Sequence, residues 1–299
     1  MQLIEEKLQI DSSYYEYEKF THLITLVNIA YLKTAIYTFA KHLENEDFCV
    51  DSKFDYLMQL YNKLLREHQV LFLLFNIFET AIRSKLAYLL SLKYSNQDQD
   101  DWLHVEALTP NNIKVIIQKV KEYIAHDGGD FAKMSTYEIF DYITLGNLKS
   151  IYYSFWGDVG YLFNAKEYKG HRLKEIGRAR FKDMLEEIRK ARNDIAHHKP
   201  LHKRRKRRYK LIEDIEYILL HLGFNLEDAI NSIDPKHEII KVGYYDKTRK
   251  IKQLMKNPSK KNLKEIEKLC QYRGVEAFFR VELEKGKFVG WIEIIEGRG

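Results

Sequence analysis

Arg192, Asn193 and His197 are the residues whose types and spacing could do chemistry. They close the stretch "EEIRKARNDIAHH", Glu186 to His198. His can exchange a proton near neutral pH, and the last turn of a helix is where the backbone dipole favours a cation. Arg offers a permanently charged fork for phosphate oxygens. Asn supplies neutral hydrogen bonds that can orient an imidazole. A proton shuttle, an anion clamp and an orienting amide are what transesterification at an RNA phosphate requires. The 2′-hydroxyl must lose a proton, the phosphorane charge must be stabilised and the 5′-oxygen must gain a proton. That scheme needs no metal or cofactor.

The element that must carry these groups is a helix read over about 174–198. Phe181, Met184, Leu185, Ile188, Ala191 and Ile195 recur at near-heptad spacing and form one apolar seam. Glu186, Arg189, Asn193 and His197 follow each other at steps of three or four on the opposite face. Arg192 falls on the border between seam and polar face. An Arg, four residues and a His also recur by chance in helical proteins, and a His is a fair C-terminal cap. What separates this instance is the sequence beside it.

After Pro200 and Leu201 comes "HKRRKRRYK". Seven of the eight residues Lys203–Lys210 are basic: Lys203, Arg204, Arg205, Lys206, Arg207, Arg208 and Lys210. Residues 171–210 hold 16 Lys+Arg against 5 Asp+Glu, whereas the rest of the chain holds 33 against 38. A positive excess this concentrated is an electrostatic footprint for nucleic acid, or less often for an acidic membrane or protein. Alone it would pass for a solvated loop. Beside a phosphate-cutting site it reads as the grip on RNA.

The remaining sequence reads as helical, with only four prolines and no glycine before Gly128. One long helix is expected from about Tyr14 to Leu43. A second is expected from Ser52 to Tyr94, bent, buried on nearly every side along "VLFLLFNIFETAIRSKLAYLL", with Glu79 and Arg83 paired at i and i+4. Thr109 and Pro110 should open a helix that stops at Gly128, and Ser135 with Glu138 a capping box. "TLGNLKSIYYSFW" should be a short apolar helix whose Tyr152, Tyr153 and Trp156 belong to the core. "GDVGYLFNAKEYKGHR" reads as a loop, and a further helix runs over about 209–222. After Pro235, a Lys-rich helix precedes a β-hairpin about Glu284–Lys287. The division expected is 1–233 for a helical domain and 234–299 for a small helix-plus-hairpin extension.

Two distant cysteines, Cys49 and Cys270, fit a reducing, cytoplasmic setting. No uncharged apolar run reaches membrane-spanning length, so no membrane role is expected. There is no Gly-rich phosphate loop, no Gly-x-Ser-x-Gly elbow and no His/Cys metal cluster.

"RNDIAHHKPL", Arg192 to Leu201, resembles the signature of HEPN-domain ribonucleases, and specifically of their Abi-like abortive-infection branch. "FETAIRSKL" (Phe78 to Leu86) is similar to that family's buried Glu/Arg helix, and "TLGNLKSIY" (Thr144 to Tyr152) to its short Leu-Gly helix. The resemblance covers roughly residues 50–230, with the three motifs in the family's order. It implies a mainly α protein, a HEPN-type helical bundle, and a homodimer in which two Arg/His motifs share one site. It also implies metal-independent RNA cleavage leaving a 2′,3′-cyclic phosphate, in antiphage or toxin–antitoxin defence, with a protein or RNA antitoxin as a further partner. His197 would be the general acid/base, Arg192 the transition-state clamp and Asn193 a positioning residue. His198 would be a supporting or capping contact, and Glu79 with Arg83 a structural pair behind the motif helix. The sequence departs from the family at Asp194, often a basic residue, and at Lys199, often an acid. In toxins neutralised by nucleotidylation a tyrosine usually stands two residues after the motif His; here it is Lys199, so that control is not expected. Two other classes use the same features: a non-catalytic protein that holds a structured small RNA through 203–210, and a helical interaction protein.

Overall fold

A computed structural model describes residues 1–95, 102–104, 110–168, 171–199, 201 and 205–233, a few positions between 254 and 266, and by backbone alone the strands 276–284 and 287–295. The protein is mainly α, as the sequence implies. It divides into two compact units, residues 1–75 with 190–208, and residues 76–189 with 209–299.

The first unit opens with α1 (Gln2–Leu8), α2 (Tyr17–Leu23) and α3 (Ile29–Leu43). The single helix expected over 14–43 is therefore broken. The physical reason is Asn28, whose extended backbone and side-chain Oδ1, accepting from the Ala30 and Tyr31 amides, start a new helix there. α4 (Lys53–Tyr94) is one helix of 42 residues. Ser52 caps it by accepting from the Asp55 amide at 3.0 Å, and the same hydroxyl donates to the buried Glu16 carboxylate. Ile4, Leu8, Phe20, Leu32, Ile36, Phe39 and Leu57 form this unit's core.

α4 is not buried on nearly every side as its composition suggested. Leu71, Leu74, Phe75, Phe78, Ile82 and Leu86 are buried, but Phe72, Leu73, Tyr88 and Leu92 are exposed. The inward residues keep the spacing of three and four that one packed face requires. The apolar residues between them are surplus to it.

The second unit contains α5 (Asn111–His126), α6 (Thr136–Asp141), α7 (Leu145–Ser154) and α8 (Trp156–Val159). Pro110 is the N-cap of α5, one place ahead of the first helical position, and Thr109 lies outside the described residues. Gly128, at φ 79°, closes α5. The capping box of Ser135 and Glu138 is formed at α6, and Thr144 caps α7. The segment read as a loop is instead α8, a 3-10 turn at Gly160–Phe163 and the hairpin β1 (Lys166–Tyr168) with β2 (His171–Leu173). Strands of three residues are too short to show alternation.

α9 (Arg178–Ala196) and α10 (Arg205–His221) follow, then α11 (Leu226–Ile233). β3 (Glu276–Glu284) and β4 (Lys287–Ile295) pair antiparallel with Glu284 opposite Lys287, the hairpin expected about that turn. Of the Lys-rich helix expected before it, Lys261, Asn262 and Lys264–Ile266 are helical and the rest lies outside the described residues. No helix among the described residues is long and apolar enough to cross a membrane.

Candidate functional site

α9 is held by its seam. Phe181, Met184, Leu185, Ile188, Ala191 and Ile195 are all buried, and burying a large aliphatic or aromatic side chain contributes about 1.5–3 kcal/mol. It starts at Arg178, four residues later than read, and its regular part ends at Ala196. The motif histidines therefore form the exit turn. The His197 amide still bonds the Asn193 carbonyl at 3.0 Å. The His198 amide bonds the Ile195 carbonyl at 2.9 Å and the Lys199 amide reaches back to Asp194 at 2.7 Å. His198 itself is left-handed, with φ 54°. These are the two bonds of a Schellman motif, with a histidine where glycine is usual.

His197 is exposed, and among the described residues its imidazole has no hydrogen-bond partner. Arg192 and Asn193 are half-buried. Asp194 and Lys199, the two positions that depart from the resembled pattern, meet each other at 3.8 Å. Lys199 is exposed and Asp194 half-buried, and a pair this open contributes little stability by itself.

His198 is exposed overall, yet its ring packs on that of His68 in α4, centroids 5.2 Å apart and tilted by 32°. His68 is only 7% exposed. The Tyr31 hydroxyl lies 2.6 Å from its Nδ1. Burial pushes the Tyr31 hydroxyl up to about 12, so that group stays protonated, and the direction of its hydrogen bond with Nδ1 follows the imidazole tautomer. Burial, and next the nearby His198, hold the His68 imidazole below its ordinary pKa. The Asn28 side-chain amide approaches the His198 carbonyl at 3.5 Å, a long contact.

The basic run is not a loop throughout. α10 begins at Arg205, four residues earlier than read, so Arg205–Arg208 form its first turn. Lys203 and Arg204 lie outside the described residues. Arg207 is half-buried and Lys210 exposed. Arg208 donates to Glu67 at 2.8 Å, with side-chain exposures of 12% and 19%. Glu67 and His68 are consecutive on α4, so neighbouring side chains take hold of the chain at both Arg208 and His198.

In the second unit, Glu79 is buried and Arg83 donates to it at 2.9 Å. The same guanidinium donates to the Ile143 carbonyl at 3.2 Å, immediately before the Thr144 cap of α7. Glu186 accepts two bonds from Arg189, at 3.1 and 2.7 Å, and one from Lys149 at 2.5 Å. Arg189 first, and Lys149 after it, lower that carboxylate to about 2. Tyr152 is fully buried and bonds the Ile82 carbonyl, while Trp156 stacks on Phe163 but stays half-buried; of the two, Tyr152 belongs to the buried core as read. Tyr153 does not: it is 39% exposed, beneath the Arg178 guanidinium at 3.7 Å. A cleft of about 530 Å³ beside α5, lined by Leu103, His104 and Lys114 among others, contains none of the motif residues.

Sequence reasoning missed His68, Tyr31, Asn28 and Glu67. His68 stands alone before an apolar run, 130 places from His198, and no spacing rule links such residues.

Residues 24–203, more than half the chain, match the Abi-like protein family, and the chain belongs to it. That family is associated with abortive infection. No curated protein and no solved structure matches the chain.

Proposed function

We propose that the chain is a metal-independent endoribonuclease of HEPN type acting in abortive infection or toxin–antitoxin defence. The observation that carries this reading is the end of α9. There an exposed imidazole, without a hydrogen-bond partner among the described residues, follows Arg192 and Asn193 a few residues before the basic run. His197 would exchange protons with the 2′-hydroxyl and the 5′-oxygen, Arg192 would neutralise the phosphorane, and Asn193 would orient the imidazole. One imidazole supplies one protonation state at a time, so base and acid together call for two. A homodimer that faces two α9 ends provides both. Exposed Leu26 and Ile29, either side of Asn28, and exposed Phe72, one turn beyond His68, favour such a contact beside the motif.

The test is cleavage of labelled single-stranded and structured RNA in excess chelator. The wild type should cleave and leave 2′,3′-cyclic phosphate ends, and His197→Ala should lose about 10²–10⁴-fold. Cleavage that needs a divalent ion, or that survives in His197→Ala, would overturn the reading. Tight binding with no cleavage by either form would favour a protein that holds a structured small RNA through residues 203–210. Because Arg208 is engaged with Glu67, the grip is best tested by reversing Arg204, Arg205 and Lys206. Each lost phosphate contact should reduce the log–log salt slope by about 0.7.

A further inference from the structure

The end of α9 uses a residue poorly suited to its backbone. A left-handed C′ position favours glycine, and a side chain there costs about 1 kcal/mol or more. The His198 ring is seated on His68, which is itself fixed by the Tyr31 hydroxyl. Tyr31 lies in α3, His68 in α4 and His198 in the exit turn of α9, all within one unit, so they tie that exit to α3 and α4. The Glu67–Arg208 ion pair anchors the start of α10 to the adjacent residue of α4. His197 is the residue immediately before this anchor and has no side-chain bond of its own among the described residues.

We infer that His198 is a positioning residue for His197, acting through its ring, with His68 and Tyr31 as the seat. The inference rests on the ribonuclease reading. A carrier of a reacting proton must be held to within about an ångström, and losing that placement costs on the order of 10²-fold. The anchor supplies that restraint from the next residue. Among the described residues, the titratable and charged groups near the seat include Tyr31 from α3, His68, Glu67 and Tyr61 from α4, and Asp194, Lys199 and Arg208 from the ends of α9 and α10.

His198→Gly separates ring from backbone, because glycine suits φ 54° while removing the imidazole. The expected result is a folded protein whose kcat for RNA cleavage falls about 10²-fold, with affinity for a 2′-deoxy RNA analogue unchanged. His68→Asn and the milder Tyr31→Phe should lower kcat in the same direction. Both should move the acid limb of the pH–rate profile, which a merely structural loss would scale without moving. The amide of Lys199, read by hydrogen exchange, should stay protected in His198→Gly and exchange about tenfold faster in His68→Ala. Full cleavage by His198→Gly with an unchanged pH profile would overturn the inference while leaving the ribonuclease reading intact. If the wild type does not cleave RNA, the ribonuclease reading fails. Exchange at Lys199 then decides the seat alone, and an unchanged rate in His68→Ala would overturn that part too.

Discussion

The same backbone exit closes α5, α10 and α9, and the three differ in what stands at the left-handed residue. At α5 the Gly129 amide reaches back to Ile124, with Gly128 at φ 79°. At α10 the Phe224 amide reaches back to Leu219, with Gly223 at φ 81°. At α9 the Lys199 amide reaches back to Asp194, with His198 at φ 54°. The glycine ends need no side-chain support, since the backbone hydrogen bonds and the absent Cβ suffice. The histidine end is supported from α3 and α4. A helix end that forgoes glycine is here seated on a buried His and Tyr, and under the proposed ribonuclease reading that seat serves the adjacent His197.

Breaking the support should cost the most. Glu67→Ala leaves the largely buried Arg208 guanidinium without its carboxylate, and Arg208→Ala does the converse. Either should lower unfolding free energy by about 2–3 kcal/mol in urea denaturation, since one partner of a largely buried pair is left behind. A double-mutant cycle giving a coupling near zero would mean that the anchor beside His68 is incidental.

The glycine ends should be the next most sensitive. Gly128→Ala and Gly223→Ala place a Cβ at positive φ with no atom within 4 Å of it at either site. The cost is therefore backbone alone, about 1–2 kcal/mol each. Equal stability to wild type in both would show that the left-handed ends are not demanding, and the contrast with His198 would lose its force.

The support should also be sensitive to acid. Burial, and next His198, depress the pKa of His68. Burial, against opposing bonds to the Leu162 and Lys174 carbonyls, depresses that of His221. For a group whose folded pKa is lowered, the unfolded chain takes up protons first as pH falls. Stability is then full above the ordinary imidazole value of 6.5 and lost as pH drops from there through the folded value. Thermal melts should show this decline below about pH 6.5, shallower in His68→Asn, where the His68 contribution is removed and that of His221 remains. A slope unaltered by His68→Asn would mean that His68 is not held neutral. Glu186, lowered to about 2, should add a separate loss as pH falls from the ordinary 4.5 towards that value.

These differences also explain what was legible in the sequence. The seam of α9 could be read because a helix repeats its burial every three or four residues. The glycine that ends α5 could be read because only glycine is at ease at positive φ. The break at Asn28 could not, since the apolar spacing runs through it and only the cap chemistry interrupts it. The start of α10 at Arg205 was hidden by charge: Arg and Lys are good helix formers, yet a run of them carries no periodicity. Arg192, Asn193 and His197 were legible as a motif. Their support was not, because Tyr31, His68 and His198 are brought together by tertiary packing alone.

The smallest effect is the one that isolates the ring. α1 also ends on a left-handed residue that is not glycine: Gln9, at φ 52°, followed by the Ile10 amide bonding back to Glu5. Gln9 is exposed. Gln9→Gly should therefore gain most of the backbone relief, about 0.5–1 kcal/mol, less the freedom that glycine adds to the unfolded chain. His198→Gly should gain the same relief but lose the contact with His68, so its net change should lie nearer zero. The difference between the two variants, measured in one denaturant series, estimates the contribution of the His198 ring with the backbone term largely cancelled. Equal gains at both positions would mean that the ring contributes nothing to the fold.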